Sequence, residues 1–490
     1  MNCWKKHKIN SSTMAECAID DLIIKEHTTL ETFFQFLGQF AFDKAKDLIE
    51  KEKESIQKCH QANTIYLNLL STLAQLAIAE KSYASLLFLV PKGFLRKDSS
   101  LKSIFETLLA DLQRLEDRSN SCITPASSPP LSLTPSIGSY SSHVSGNGSI
   151  ASSSVHSQIF EEMEKLAGHI SGQLCHFVTA RMEMMEFYEK MWNMSSLQFM
   201  KFEELANFIS EIITRTQKLF HHPYLGSIKT SFSLECEILL QLLETQLRLQ
   251  QWQFLPSLLH LNDAHSKLCI WAAPANKDGK KVSSHSVFRP VAVPPLYQWL
   301  CKLKAALVAK FSLYFHKILS QQTTPNEMKN LCSRAYIDYY QKIVTFQKRV
   351  DALCVALVLN TLNLESYKGH GYQYPAKNYE PPKGLDSYPA VLCYPIFLFL
   401  EQPNSHWPCV VMIMNDKAWD TRIADDVVCF YDKNVQTTYF LAKVDPYMTV
   451  VVILENKRTE KEGHITGFLH ELCMQLRGNK VFASLKPGSK

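Results

Sequence analysis

The spacing of apolar residues changes near Asp351, and no single kind of secondary structure satisfies both rhythms. Up to about Val350 they recur at three- and four-residue steps, the period of helices with one buried face. From Asp351 onward they come in short blocks: Ala352–Leu359, Cys409–Met414, Val427–Tyr431, Thr437–Leu441 and Met448–Leu454. Gly, Pro, Asn and Asp bound these blocks, which predicts strands. The expected fold class is α+β: an N-terminal multi-helix bundle, then a smaller C-terminal antiparallel-sheet module with a covering helix.

The bundle is expected over 28–118 and 158–350, preceded by a loose extension over 1–27. A helix starts near Thr28 or Thr29, with Leu30, Phe33, Phe34, Leu37, Phe40 and Phe42 as its apolar set. Thr64–Val90 follows as a second, ended by Pro91 and Gly93. Asp98 or Ser99 then caps a third, carrying Leu101, Ile104, Phe105, Leu108, Leu109, Leu112 and Leu115. From Ser119 to Ser157 serine dominates, with Pro125, Pro129, Pro130 and Pro135. Such a stretch buries too little apolar surface to offset its ordering entropy, so 119–157 is expected to be a disordered insertion. Helical spacing returns at Ile159 and continues through segments near 201–220, 231–251, 252–271, 295–322 and 325–348. A polar loop is expected over Ala272–Pro295.

The module is expected over 351–490. Asp432-Lys433-Asn434 makes a hairpin turn, and Asp445-Pro446 turns the chain into Met448–Leu454, so three strands form a meander. Ile465, Phe468, Leu469, Leu472, Cys473 and Leu476 form the apolar face of the covering helix. The general look is similar to roadblock or longin-type modules, which serve as docking platforms.

Composition narrows the function classes. With 52 basic against 47 acidic residues the net charge is +5, too weak and too spread for a nucleic-acid stripe. The local runs Lys5, Lys6, Lys8 and Lys277, Lys280, Lys281 read as solvated segments. The 14 cysteines include no C-x-x-C pair and many sit in apolar runs, so they are expected to be reduced, buried hydrophobes of an intracellular chain. No apolar stretch follows Met1–Asn10, so no secretory signal is expected, and Asn147-Gly148-Ser149 carries no weight as a glycosylation acceptor. The most apolar window, Tyr388–Leu400, is short and broken by Pro389 and Pro395. Membrane contact is therefore expected to be peripheral or through partners.

The usual chemical motifs do not appear: no phosphate loop, no H-E-x-x-H, no nucleophile elbow. Met182, Met184, Met185, Met191 and Met194 read as core packing, and His221-His222-Pro223 as a helix end. Gly369-His370-Gly371 with Tyr372 and Tyr374 reads as a turn into an extended segment. No cofactor or metal is expected. His370, Tyr372, Trp407 and Trp419 are the candidate partner-binding residues, the tryptophans as interface anchors.

A set of strings runs in order along nearly all of 30–488. It comprises Leu30–Phe34, Asp43–Asp47, Ala180–Glu183, Phe187–Met191, Phe220–Pro223, Trp252–Leu258, Lys310–His316 and Gln322–Thr324. In the module it continues with Gly369–Tyr372, Pro382–Gly384, Tyr388–Val391, His406–Pro408, Gln436–Leu441 and Val481–Gly488. Through these the sequence resembles the family of the second subunit of KICSTOR, a nutrient-signalling assembly. It departs from that family in its N-terminal extension, its Ser-rich insertion and Tyr394–Asn404. The resemblance implies a non-enzymatic scaffold, cytoplasmic and recruited to the lysosomal surface. Its implied partners are kaptin, an FG-GAP-repeat protein and one very large subunit. Through that assembly the first GATOR complex would be recruited, restraining the TOR growth kinase when amino acids or glucose are scarce. The competing expectation is a small-molecule sensor or enzyme with a site at the junction of bundle and module, near His370 and Tyr372.

Overall fold

The computed structural model describes residues 11–58, 64–90, 100–123, 150–277, 293–369, 371, 379–395, 403–416 and 427–486. Among these, the helical body comprises α1 (Ser11–Gly38), α2 (Phe42–Lys58), α3 (Thr64–Ala84), α4 (Leu101–Ile123), α5 (Ile150–Met194) and α6 (Phe202–Thr216). It continues with α7 (Gly226–Gln250), α8 (Phe254–Lys277), α9 (Pro295–Tyr314), α10 (His316–Gln322), α11 (Pro325–Ser333) and α12 (Tyr339–Val350).

Several boundaries differ from the sequence expectation; α8 runs on to Lys277, and the segment expected over 295–322 is α9 and α10. Helix α1 begins at Ser11, well inside the stretch read as loose; Ile19, Leu22 and Ile23 continue its apolar spacing. The helices flanking the Ser-rich stretch reach into it from both sides, to Ile123 and from Ile150, and 124–149 lie outside the described residues. Composition misleads here because Ser119 is a packing residue. It is buried, donates its hydroxyl to the Glu164 carbonyl at 2.8 Å and faces Gly168 of α5, where a β-carbon would lie 2.3 Å from its oxygen. The segment expected over 325–348 is two helices, and Thr324 and Glu327 cap the first reciprocally.

The change of period has a local cause. Helix α12 ends at Asp351, which adopts a left-handed φ of 51°. The next amide, of Ala352, bonds back to the Gln347 carbonyl at 3.2 Å. That reversal starts the sheet, whose strands are β1 (Cys354–Leu359), β2 (Ala390–Tyr394), β3 (Val428–Asp432), β4 (Thr437–Asp445) and β5 (Met448–Glu455). Their order is β2-β1-β5-β4-β3, every neighbour antiparallel. Both expected turns are present: the Asn434 amide bonds to Asp432 Oδ1 at 2.8 Å, and Asp445 pairs with Met448 across Pro446-Tyr447.

The central strands are buried on both faces, which explains their unbroken apolar runs. One face, with Val355, Leu357, Phe440, Val450 and Val452, meets α14 (Gly463–Arg477) and the helical body. The opposite face, with Ala356, Val358, Tyr439, Leu441 and Val451, is covered by α13 (Pro403–Met414). A last helix, α15 (Asn479–Ala483), tucks back into the body.

Helix α13 corrects a specific expectation, since Cys409–Met414 was read as a strand. Cys409, Val410, Val411, Ile413 and Met414 are buried, while the exposed face carries the apolar Met412, so polarity does not mark the helical period. Strand β2, bracketed by Pro389 and Pro395, was not anticipated. Two strands, a helix on one face, a meander and closing helices on the other complete the α+β module.

Candidate interaction site

The junction of body and module is packed through its centre, with a cavity of about 430 Å³ at one side between α9 and α15. Buried side chains from Leu30 in α1 to Leu485 beyond α15 form one continuous cluster that includes both the body and one sheet face. At its centre Asp445, closing β4, meets the body. Lys310 Nζ of α9 lies 2.7 Å from Asp445 Oδ2, with both side chains almost fully buried. Tyr314 donates its hydroxyl to the same oxygen, and Gln250 Nε2 donates to Oδ1 at 3.1 Å. Burial pushes the Lys310 ammonium down, countered by Asp445, and pushes the Tyr314 hydroxyl well up.

Further bonds stitch the seam. Trp299 Nε1 donates to the Val481 carbonyl at 2.9 Å, and Asn479 Nδ2 to the carbonyls of Ser195 and Leu197 at 3.0 and 2.7 Å. Within the module, Arg477 of α14 donates to the β4 carbonyls of Val444 and Lys443 at 3.2 and 2.6 Å.

A second buried polar cluster lies within the body. Arg181 of α5 donates from Nε to both Glu80 oxygens at 3.0 and 3.1 Å, and from Nη1 to Glu235 Oε2 at 2.6 Å. Tyr83 and Tyr188 donate to Glu235 Oε1 at 2.6 and 3.0 Å. The guanidinium lies 4.4 Å from the centre of the Tyr83 ring. Burial pushes the Glu80 carboxyl up, while Arg181 pulls it back. Carboxylates, cation and hydroxyls are buried and bonded to one another in a closed, structural set.

A third polar cluster lies between α1 and α2. Glu26 is buried, and burial followed by the charge of Glu52 pushes its carboxyl up to about 7; Lys25 pairs with Glu52 at 3.1 Å. The folded state thus holds a proton that the unfolded chain releases near 4.5. This contribution is full below about pH 4.5 and is lost as pH rises to about 7. Glu26→Gln is expected to leave the melting temperature nearly unchanged at pH 5. At pH 8 it should raise stability by about 1–3 kcal/mol. Thermal scans at the two pH values check this, and equal shifts at both would refute it.

Among the open surfaces, two are chiefly apolar. A groove of about 960 Å³ runs along the outer side of the seam between α12 and α14, floored by Phe346, Phe468 and Leu472. The rings of Phe346 and Phe468 stack 3.7 Å apart. On α8, Leu255, Leu258 and Leu259 are exposed at one-face spacing, with Ile270 farther along. Among the described residues no cluster of His, Cys, Asp or Glu is grouped to hold a metal, and no helix is long and apolar enough to cross a membrane.

The expected site residues fare as follows. Trp407 does not lie at the surface: it is 8% exposed, belongs to α13 and donates to the Tyr388 carbonyl at 3.1 Å, so its indole packs the core. His370, Tyr372 and Trp419 lie outside the described residues. Both glycines beside His370 have structural reasons. Gly369 has a φ of 106° and its carbonyl accepts from Trp252 Nε1 at 3.2 Å; at Gly371 a β-carbon would lie 2.7 Å from Ile318. The exposed leucines of α8 were missed; their signal was an apolar residue set too wide for one buried face.

Comparison with known proteins then decides the family. The family described as KICSTOR complex C12orf66 like matches residues 20–146 and 139–490. KICSTOR subunit 2 of Danio rerio is 40% identical over 473 residues, 95% of this chain and 97% of that protein. KICSTOR subunit 2 of Xenopus laevis is 40% identical over 476 residues, 96% and 98% of the two chains. The chain belongs to the KICSTOR C12orf66-like family. The two family matches meet within the Ser-rich stretch between α4 and α5, so the family pattern covers both body and module on either side of it.

Proposed function

We propose that this chain is a non-enzymatic scaffold subunit of a KICSTOR-type complex. In this reading it works on the lysosomal surface with kaptin, an FG-GAP-repeat protein and one very large subunit. Through the assembly it recruits the first GATOR complex and so restrains TOR growth-kinase signalling when amino acids or glucose are scarce. The observation that carries the reading is end-to-end similarity to two proteins named KICSTOR subunit 2, spanning body and module alike. The continuous core supports it physically, because it holds outward surfaces of both parts at fixed positions, as a scaffold requires.

The experiment is affinity purification of the tagged full chain from cells, with quantitative mass spectrometry. The three other subunits should co-purify, and re-expression in cells lacking the chain should restore loss of TOR-kinase substrate phosphorylation on amino-acid withdrawal. The double variant Leu258→Glu/Leu259→Glu should reduce recovery of at least one partner about tenfold. Its stability should stay within about 0.5 kcal/mol of the parent, because both positions are exposed. Absence of all three subunits from the purified material would reject the assignment.

A further inference from the structure

Strands β1 and β2 bring two thiols together. Cys393 of β2 faces Ala356 across the ladder, so Cys354, two residues earlier in β1, is its diagonal neighbour on the same face. Their sulfurs are 3.0 Å apart and both cysteines are free. Cys354 is buried, while Cys393 is half-buried at the margin of the core beneath α13 and is the one a solute reaches first.

A disulfide holds its sulfurs at about 2.05 Å, so closure asks for a movement on the order of 1 Å. A shared tetrahedral metal, with metal–sulfur bonds of about 2.3 Å, would hold two thiolates about 3.8 Å apart. The pair is thus too close for a shared metal, and no third or fourth ligand is grouped with it among the described residues. Oxidation is the chemistry that fits.

We propose that Cys354 and Cys393 form a reversible oxidation site, closed to a disulfide by a peroxide. The Cys393 thiolate attacks one peroxide oxygen and the O–O bond breaks. Hydroxide leaves and takes a proton to become water, and Cys393 is left as a sulfenic acid. The Cys354 thiolate then attacks that sulfur, the S–S bond forms, and a second hydroxide leaves and is protonated to water. Two thiols are oxidised by two electrons, and hydrogen peroxide is reduced to two waters. A small thiol such as glutathione reverses the step by exchange.

The contact from Cys354, and then burial, hold the Cys393 thiol well above its ordinary range. Closure is therefore slow at neutral pH and accelerates as pH rises. Its structural effect is on an edge: β2 lies at one side of the sheet, beside α9, α10 and α12 of the body. A bond to β1 ties that edge to the sheet interior and stiffens the seam.

The test treats the purified full chain with hydrogen peroxide at pH 7 and pH 9, traps free thiols by alkylation and maps peptides by mass spectrometry. The expected result is a Cys354–Cys393 linked peptide, formed before any other pair, faster at pH 9 and lost with dithiothreitol. Amide exchange over 390–394 should slow at least tenfold in the oxidised chain. Cys393→Ser and, independently, Cys354→Ala should each abolish both effects. Full alkylation of both cysteines after peroxide treatment that oxidises other thiols would overturn the proposal. Pairing of either cysteine with a different one would overturn it as well.

Discussion

Arg181→Met is expected to lower the unfolding free energy by about 3–5 kcal/mol, the range for removing one partner of a buried ion set. The guanidinium is the cation between two carboxylates, Glu80 and Glu235, both buried. Its removal leaves two negative groups facing one another in the core, with Tyr83 and Tyr188 still donating to Glu235. The loss exceeds what deleting an exposed pair such as Lys81–Asp43 would produce, since exposed pairs contribute about 0–1 kcal/mol. Chemical denaturation of the full chain measures it. The triple variant Arg181→Met/Glu80→Leu/Glu235→Leu separates charge from packing: with no ion left uncompensated, most of the loss should be recovered. A single variant within 1 kcal/mol of the parent would mean that water reaches this cluster.

Lys310→Met should produce a loss of similar size, about 3–5 kcal/mol, by a different route. Here a single carboxylate, Asp445, loses its cation while Tyr314 and Gln250 still donate to it. Because Asp445 closes β4 and Lys310 belongs to α9, the damage falls on the contact between module and body. Hydrogen exchange should therefore accelerate by about two orders of magnitude or more over β4, β5 and α9. Exchange in α2 and α3 should change less. Lys310→Met combined with Asp445→Leu removes both charges and should restore much of the protection. Uniform acceleration across every helix would show that the seam has no separate opening reaction.

How much of this was legible in the sequence depended on the range over which each signal acts. The α+β class, both hairpin turns and the face of α14 were readable because they rest on spacings of two to four residues. The change at Asp351 was equally local, being one left-handed residue at a helix end. Helix α13 was misread because its environment, not its pattern, makes it helical: Val410 and Val411 are both buried, as in a central strand. Ser119 was assigned to the insertion because serine content cannot tell a solvated loop from a small residue at a helix crossing. Trp407 was offered as a surface anchor, since large aromatic residues suit interfaces and cores equally.

The polar clusters were out of reach altogether. Arg181 meets Glu235 54 residues away and Glu80 101 residues away, and no short-range pattern records such a meeting. The family strings were legible and pointed to the KICSTOR family, yet none of them identifies a contact surface. The leucines of α8 and the groove beside α14 became visible only once the fold had settled what was already covered.

The bond from Trp299 to the Val481 carbonyl spans 182 residues. A ribosome adding about 5–20 residues per second needs roughly 10–40 s to make that span. Throughout this interval Trp299 of α9 has been made, but Phe482, whose ring packs edge-on against its own, has not. The nascent chain therefore carries an uncapped indole for roughly 10–40 s.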